Sequence, residues 1–515
     1  MKRILLPLLL LSVFSATSQI PEDALRFSWY PVNGTARINA IGGAMGSLGG
    51  DITSIFVNPA GIGLFNTREV VFGLNNLQQS NSFTYRDELS KSKKNSIGLS
   101  PIGVIIGLGK VSEKAKSVTV GFGFNQTANF NNFYNFKGYN NNSSYSEIFA
   151  EEFAKSGLSI DDVLQSNSQL PYGSAPALYT YLIDTVKLAD GSYQIKAAPE
   201  YILDAGQAIR QEFTKKETGG IYELAGSVAS NFNDQWYIGG TLGIPIISYS
   251  STTTVEESDT SLNASNHFAS FKYTDKFSTT GAGINLKVGA IYRPSDYVRL
   301  GLAIQSPTFM YLTDNRTTYL ETDLENPASN FNVSSTTFTN DKAGKASYNQ
   351  TSPWKATISG SYVFREVENV NKQKGFITAD IEYVNHKGSR FRSANEEPTE
   401  DEKAYYKELT KVLKQQYKGA FNFRIGGELK FNVIMARLGF AYYGNPYKNS
   451  PEKANMMLLS GGLGYRDHNF FIDLTYVHNM KKDTYFPYRL SDRENSYAKI
   501  DKTVGQVMAT VGFKF

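Results

Sequence analysis

The chain closes on TVGQVMATVGFKF, Thr503–Phe515, in which Val507, Ala509, Val511, Phe513 and Phe515 fall on one face and Gln506, Met508, Thr510, Gly512 and Lys514 on the other. A period of two predicts a β-strand. The same alternation recurs in KATISGSYVF, FNFRIGGELKF, NVIMARLGFAYY and FFIDLTYVHNM. Their apolar faces carry Ile358 and Tyr362, Phe421 and Phe423, Leu438 and Phe440, Leu474 and Tyr476. Each run approaches the roughly ten residues of a tilted membrane-crossing strand, whereas soluble strands average about five or six.

The connections alternate as well. Short turns are expected at Asn233–Gln235, Arg293–Tyr297, Phe431–Val433 and Arg466–Asn469, and long polar stretches at 323–352, 386–418 and 483–501. That asymmetry is the construction of an outer-membrane barrel. Strand starts near Arg68, Asn95, Lys116, Gly220, Gln235, Phe271, Tyr297, Ser352, Gly375, Lys418, Asn432, Asn455, His468 and Thr503 give an all-β fold. It is a transmembrane antiparallel β-barrel of about 14 strands, both ends on one side. Within the barrel region, 68–515, a long extracellular insertion is expected over 131–219. There SYSEIFAEEFAKSG and PEYILDAGQAIRQEF read as helices, and a second helical loop spans 386–417.

The N-terminus, MKRILLPLLLLSVFSATSQ, has the charged start, apolar core and small-residue end of a signal peptide over residues 1–18. No run reaches the roughly 20 apolar residues of a spanning helix, so passage through a membrane falls to strands. Across 515 residues, 52 basic and 48 acidic side chains leave a formal charge of +4, which calls for no nucleic-acid partner. The absence of cysteine excludes disulfides, thiolate metal sites, a Cys nucleophile and a lipid-anchored lipoprotein. His267, His386, His468 and His478 show no metal spacing. Neither a cofactor nor an enzymatic activity is expected.

Between signal and first strand lies a compact segment, 19–67, containing GGAMGSLGGDITSIFVNPAGIGLF. A barrel of about 14 strands has a lumen too wide for side chains alone to fill, and a small-residue segment is suited to plug it. This run, with Asp51 followed by Asn58, Pro59, Ala60 and Gly61, resembles the N-terminal hatch of the FadL family of outer-membrane transporters for long-chain fatty acids and other hydrophobic compounds. The resemblance spans nearly the whole mature chain. It implies a Gram-negative outer membrane, contact with its lipids, and passive uptake of a hydrophobic ligand. The ligand would be captured in a groove between loop helices and held above the hatch. A lateral opening at a kinked wall strand would then release it. A FadL-like barrel also serves the type IX secretion system as a docking and shuttle component, so a protein partner is the alternative.

Candidate residues follow from these expectations. Phe149, Phe153, Leu158, Leu164, Leu178, Tyr181 and Leu182 are candidates for the capture groove, or else the packing face between loop helices. Alternation turns Lys287, Arg299, Lys355, Arg424 and Arg437 inward as candidate head-group partners. Asp380, Glu382, Glu428 and Asp473 also face the lumen, which allows a salt-bridge network that holds the hatch. Gly121 and Gly123 are candidates for the kink.

Overall fold

The computed structural model describes residues 21–515, except 110–116, 188, 262, 264, 326–329, 365–373, 450–453 and 468. The signal-peptide segment and His468 lie outside the described residues.

The alternating runs form a closed antiparallel barrel of 14 wall strands, sealed where the first strand pairs with the last. The wall starts with β1 (Arg68–Tyr85) and β2 (Glu88–Leu99), which β3 (Ile102–Gly109) continues. The third wall strand is β4 (Ser117–Asn129) with β5 (Asn132–Asn140). A small hairpin, β6 (Ile183–Lys187) and β7 (Tyr193–Ala197), sits in the insertion before β8 (Ile209–Phe232). Next come β9 (Trp236–Asp259), β10 (Ser270–Tyr292), β11 (Val298–Gln305) with β12 (Phe309–Asp323), and the short β13 (Asn330–Ser334). β14 (Gly344–Thr351) with β15 (Lys355–Phe364) and β16 (Gly375–Asn385) with β17 (Arg390–Ser393) follow. The wall ends with β18 (Gly419–Phe431), β19 (Ile434–Tyr443), β20 (Met456–Asp467), β21 (Phe470–Tyr485) and β22 (Ala498–Lys514).

The burial pattern is inverted relative to a water-soluble sheet. On β18, Phe421, Phe423, Ile425, Leu429 and Phe431 are exposed, whereas Asn422 and Arg424 are 2% and 1% exposed. An apolar exterior around a polar interior is what a lipid-facing barrel requires. Three wall strands break at Ser-Pro pairs, Ser100–Pro101, Ser306–Pro307 and Ser352–Pro353. Proline has no N–H for the ladder. At two of these breaks serine repairs it: Leu286 N donates to Ser306 Oγ at 2.9 Å, and Thr308 N to Ser352 Oγ at 2.9 Å.

Four strand starts lie five or more residues ahead of expectation, those of β2, β8, β14 (Gly344 rather than near Ser352) and β22 (Ala498 rather than near Thr503). β2 begins at Glu88 rather than near Asn95, returning from a tight turn at Arg86–Asp87 where both residues have positive φ. β8 begins at Ile209 rather than near Gly220, and β5 pairs with that extra length from Asn132↔Glu217 to Asn140↔Ile209. The 131–219 insertion therefore reduces to the connection 141–208. Its outer parts turn apolar residues inward (Phe136, Ile209, Phe213) and polar ones outward (Lys137, Arg210, Glu212), the reverse of the membrane-facing pattern, which hides their period.

The helices α1 (Pro21–Arg26), α2 (Ala36–Ala40), α3 (Glu147–Ser156), α4 (Ile160–Val163), α5 (Ser174–Tyr179), α6 (Glu200–Asp204) and α7 (Glu400–Gln416) are all outside the wall. α3 ends where Gly157 takes φ +67, and α7 opens with a Thr399/Glu402 capping box. The helix expected from Pro199 onward stops at Asp204, because IRQEF belongs to β8.

Candidate functional site

The N-terminal segment lies in the lumen at the short-turn end. Ala36 N donates to Thr510 Oγ1 at 2.8 Å, Thr475 Oγ1 to the Ala36 carbonyl at 2.6 Å, and Met45 N to Asp380 at 3.1 Å. Inward-facing glycines give this backbone its room. A β-carbon on Gly239 would strike Pro59, on Gly301 Gly46, and on Gly426 Ile41. Gly42, at φ +70, lies against the Phe440 carbonyl.

The motif residues serve this packing. Asp51 accepts from Thr53 N and from Thr35 Oγ1, both at 2.8 Å. Asn58 is 1% exposed, caps the turn Pro59–Leu64 by accepting from Ala60 N, and donates to the Gly46 carbonyl at 2.5 Å. Pro59 opens that turn, Ala60 is fully buried, and the Gly61 carbonyl accepts from Gly50 N at 3.1 Å.

Of the five candidate head-group cations, Lys355 stands 5.1 Å over the Tyr30 ring, and the other four end in this lower network. Lys287 pairs with Glu223 at 2.5 Å, and Arg299 donates to the Leu48 carbonyl at 2.8 Å. Arg437 bridges Glu428 (2.6 Å) and Asp473 (2.5 Å), and Arg37 of the plug reaches the same Glu428 at 3.4 Å. Arg424 lies 3.5 Å from both Asp380 and Glu382. None of the four lines the open space above the plug.

That space is a cavity of about 700 Å³. Its wall combines apolar and aromatic side chains (Leu25, Trp29, Tyr30, Tyr134, Tyr249, Met456, Val477) with the amides of Asn75, Gln79, Gln126, Asn129 and Asn131. Most cations on it are already engaged. Lys215 pairs with Glu217 at 3.2 Å, Lys481 with Asp483 at 2.6 Å, and Arg26 with Asp23 while stacking 4.1 Å over Tyr249. The Lys502 side chain lines the same wall, and its ammonium makes no hydrogen bond or ion pair among the described residues. Alternation did not single out Lys215, Glu217 or Lys502. The first two sit on the part of β8 that reads as loop, and the third in the stretch 483–501 and its edge.

Beside the cavity the wall has a seam. β3 pairs with β1 on one side and β4 on the other, but above the Ser100–Pro101 break β2 pairs only with β1, while β5 pairs only with β8. No backbone ladder joins β2 to β4 or β5 among the described residues. Side chains bridge instead. Asn81 donates to the Phe133 carbonyl at 2.8 Å, Ser92 to the same carbonyl at 2.5 Å, and Leu99 N to Gln126 Oε1 at 3.0 Å. Gly121 and Gly123 do not mark this discontinuity. The β3–β4 and β4–β8 ladders run through both in register, and Gly121 faces Ile55 while Gly123 faces Phe56 and Ile55 of the N-terminal segment. The sequence signal for the break is Pro101.

The loop candidates are gathered in one cluster. Phe149, Phe153, Leu178 and Leu182 are buried in it, and Leu158 and Leu164 pack against its edge. Phe149 lies 5.2 Å from the Tyr273 ring and 5.6 Å from Tyr145. Tyr181 alone of the seven is exposed, with its ring 5.4 Å from Phe331. Six of these side chains thus form the packing face of the cap. His267 and His478 stay apart, and no group of three or more metal-ligating side chains occurs among the described residues.

No protein-family model and no curated protein matches the chain. Among solved structures, a FadL homologue from Pseudomonas aeruginosa matches with a TM-score of 0.52 at 12% identity, covering 94% of this chain and 99% of that one. The deltaS2 mutant of the TodX monoaromatic hydrocarbon channel matches with a TM-score of 0.52 at 11% identity, covering 94% and 100%. At such identities the likeness is one of fold, and the chain has the FadL-type barrel fold.

Proposed function

We propose that this FadL-type barrel passes amphipathic hydrophobic molecules across the outer membrane of a Gram-negative bacterium, with a long-chain fatty acid as the reference substrate. The carrying observation is Lys502, whose ammonium has no ion pair among the described residues, on a cavity lined by apolar, aromatic and amide side chains and by cations already paired (Arg26, Lys215, Lys481), beside the wall seam. A carboxylate at Lys502 would gain a charge-assisted hydrogen bond, and its chain would lie against Trp29, Met456 and Val477. A bare aromatic hydrocarbon would leave the ammonium and the amides without a partner, which costs free energy in a desolvated site. The seam, at the level where β1 changes outward from Leu74 to Asn76, is the exit toward membrane lipid. Movement is passive, and displacement of the lumen plug is unnecessary if the ligand leaves sideways. The docking alternative draws no support from the matched structures.

The test is binding of oleate and of toluene to the purified protein by calorimetry. Lys502→Met should weaken oleate about 10- to 100-fold, the value of a hydrogen bond to a charged group, and leave toluene unchanged. Equal effects on both, or no oleate binding to the unsubstituted protein, would end the reading.

A further inference from the structure

The wall strands β8, β9, β10 and β12 continue well above the apolar band, and their outward face changes character in register. Leu224, Ile244, Ile284 and Phe309 stand side by side in one exposed row. The next row up carries Tyr222, Ile246, Ala282 and Tyr311, so the band ends on tyrosines, as membrane-spanning barrels do at the interface. Above it hydroxyls take over. β9 turns out Ser248, Ser250, Thr252 and Thr254, and β10 turns out Thr280, Ser278 and Thr274.

Three lysines are set into this face. Lys216 on β8 and Lys276 on β10 both lie opposite Thr252, so their backbones are two strands, roughly 10 Å, apart. Lys345 on β14 lies opposite Asn315 of β12, again two strands from β10 and one step lower. All three are exposed, and their ammonium groups have no ion pair among the described residues. Between the tyrosine row and Thr254, no outward position on β8, β9, β10 or β12 carries a carboxylate. Acids return one row higher, as Glu212, Glu256 and Glu321. There Lys272 pairs with Glu256 at 2.7 Å and Arg210 with Glu212 at 3.4 Å. Faces turned to water intersperse both signs. Here the signs are separated by height.

We propose that this face of β8, β9, β10, β12 and β14 binds a phosphorylated glycolipid of the outer leaflet, an inference that rests on the outer-membrane placement above but not on passage of a cargo. Its phosphates take charge-assisted hydrogen bonds from Lys216, Lys276 and Lys345. Its sugars meet the Ser and Thr hydroxyls, and its acyl chains lie on Ile244, Ile246 and Ile284. Height excludes an ordinary phospholipid as the occupant. From Ser248 to Thr254 the face rises about 20 Å along the strand, roughly 15 Å along the membrane normal at a tilt of about 40°. A phospholipid headgroup layer is only about 5–8 Å deep.

The test is native mass spectrometry of the full mature protein, delipidated in mild detergent. It is titrated separately with bis-phosphorylated lipid A, with phosphatidylglycerol and with inorganic phosphate. Lipid A should stay bound at a collision energy that strips the other two. Lys216→Gln, Lys276→Gln and Lys345→Gln combined should weaken lipid A about 10- to 100-fold. Thr252→Glu, which sets a carboxylate between two of the ammonium groups, should weaken it alone. Lys272→Gln, above the acid-free zone, should leave it unchanged. Lipid A binding unchanged in both the triple variant and Thr252→Glu overturns the proposal. So does phosphatidylglycerol or phosphate held as tightly as lipid A, or a loss in Lys272→Gln as large as in the triple variant. None of these side chains lines the cavity, so oleate binding by calorimetry should be equal in every variant. Lipid A bound as expected by a protein that binds no oleate upholds this surface and overturns transport.

Discussion

The side-chain oxygen of Asn58 occupies the place where a β-carbon on Gly289 would stand. One residue is in the Asn-Pro-Ala-Gly turn of the plug and the other in wall strand β10, 231 positions later by number. The contact lets Asn58 cap its own turn while its amide reaches the Gly46 carbonyl and points toward Ala290 at 3.4 Å. Gly289→Ala should therefore push the plug off the wall. Overpacking of this kind costs about 1–3 kcal/mol. The expected result is a lower unfolding temperature and increased ion leak through the barrel in planar bilayers. An unchanged leak would show that the turn shifts without loosening the plug.

Arg437 holds two carboxylates, Glu428 on its own hairpin and Asp473 on β21, with no side-chain exposure. Removing the cation leaves buried charge uncompensated, at a cost of about 3–5 kcal/mol. Arg437→Met should lower the denaturation midpoint strongly, and Arg437→Met with Asp473→Leu should recover much of the loss, since Glu428 keeps Arg37. A double-mutant cycle in detergent measures the coupling, and additive losses would contradict it.

The barrel was legible because its period is written in residues such as Phe421, Phe423 and Ile425, whose outward positions follow from alternation alone. Asp51 and Asn58, part of the local motif read from sequence as a hatch, are buried and hydrogen-bonded within the N-terminal segment. The path was not legible. Lys502 and Lys215 lie on strand parts whose inward neighbours are apolar (Ile500, Val504, Phe213) and whose outward neighbours are polar, the reverse of the membrane-facing alternation. Asn33 meets Leu99 and Gln126 only through the closed barrel, a relation that no local pattern encodes. The wall break was marked by Pro101, but Gly121 and Gly123 drew attention instead because glycine marks both a bend and a close approach; here it is the approach of Ile55 and Phe56.

Phe149 is 3% exposed among Phe153, Leu178 and Leu182. Phe149→Ala should therefore destabilise the cap by about 3–5 kcal/mol, as truncation of a core aromatic does. Limited proteolysis of outer-membrane vesicles should then cut within 141–208 while the barrel stays intact. Tyr181→Ala, at an exposed ring, should leave the cap resistant. A surface capture groove gives the opposite pattern: oleate binding falls in Phe149→Ala and the cap remains uncut.

His386 supplies a pH test of how the N-terminal segment packs. It follows β16 at the far rim, is fully buried, and its ring stands edge-on to Trp29 with centroids 6.4 Å apart. Neither ring nitrogen has a hydrogen-bond partner among the described residues. Burial pushes its pKa down to about 3, and the nearby Lys355 ammonium adds to that fall against a smaller opposing effect of Glu382. The unfolded chain binds the proton from about pH 6.5 downward while the folded one does not, so the folded state binds fewer protons in that window. Stability is thus fully present above pH 6.5 and is lost as pH falls toward 3, by about 1.4 kcal/mol per unit. Trp29 is one of 3 tryptophans, and with Trp236→Phe and Trp354→Phe it becomes the sole reporter. Its fluorescence should stay flat through pH 6.5 and change only well below pH 5, as the ring protonates and the segment loosens. His386→Leu should abolish that change and flatten the dependence of the unfolding temperature between pH 7 and pH 4. A fluorescence midpoint near 6.5 would place His386 in water and detach Trp29 from the rim.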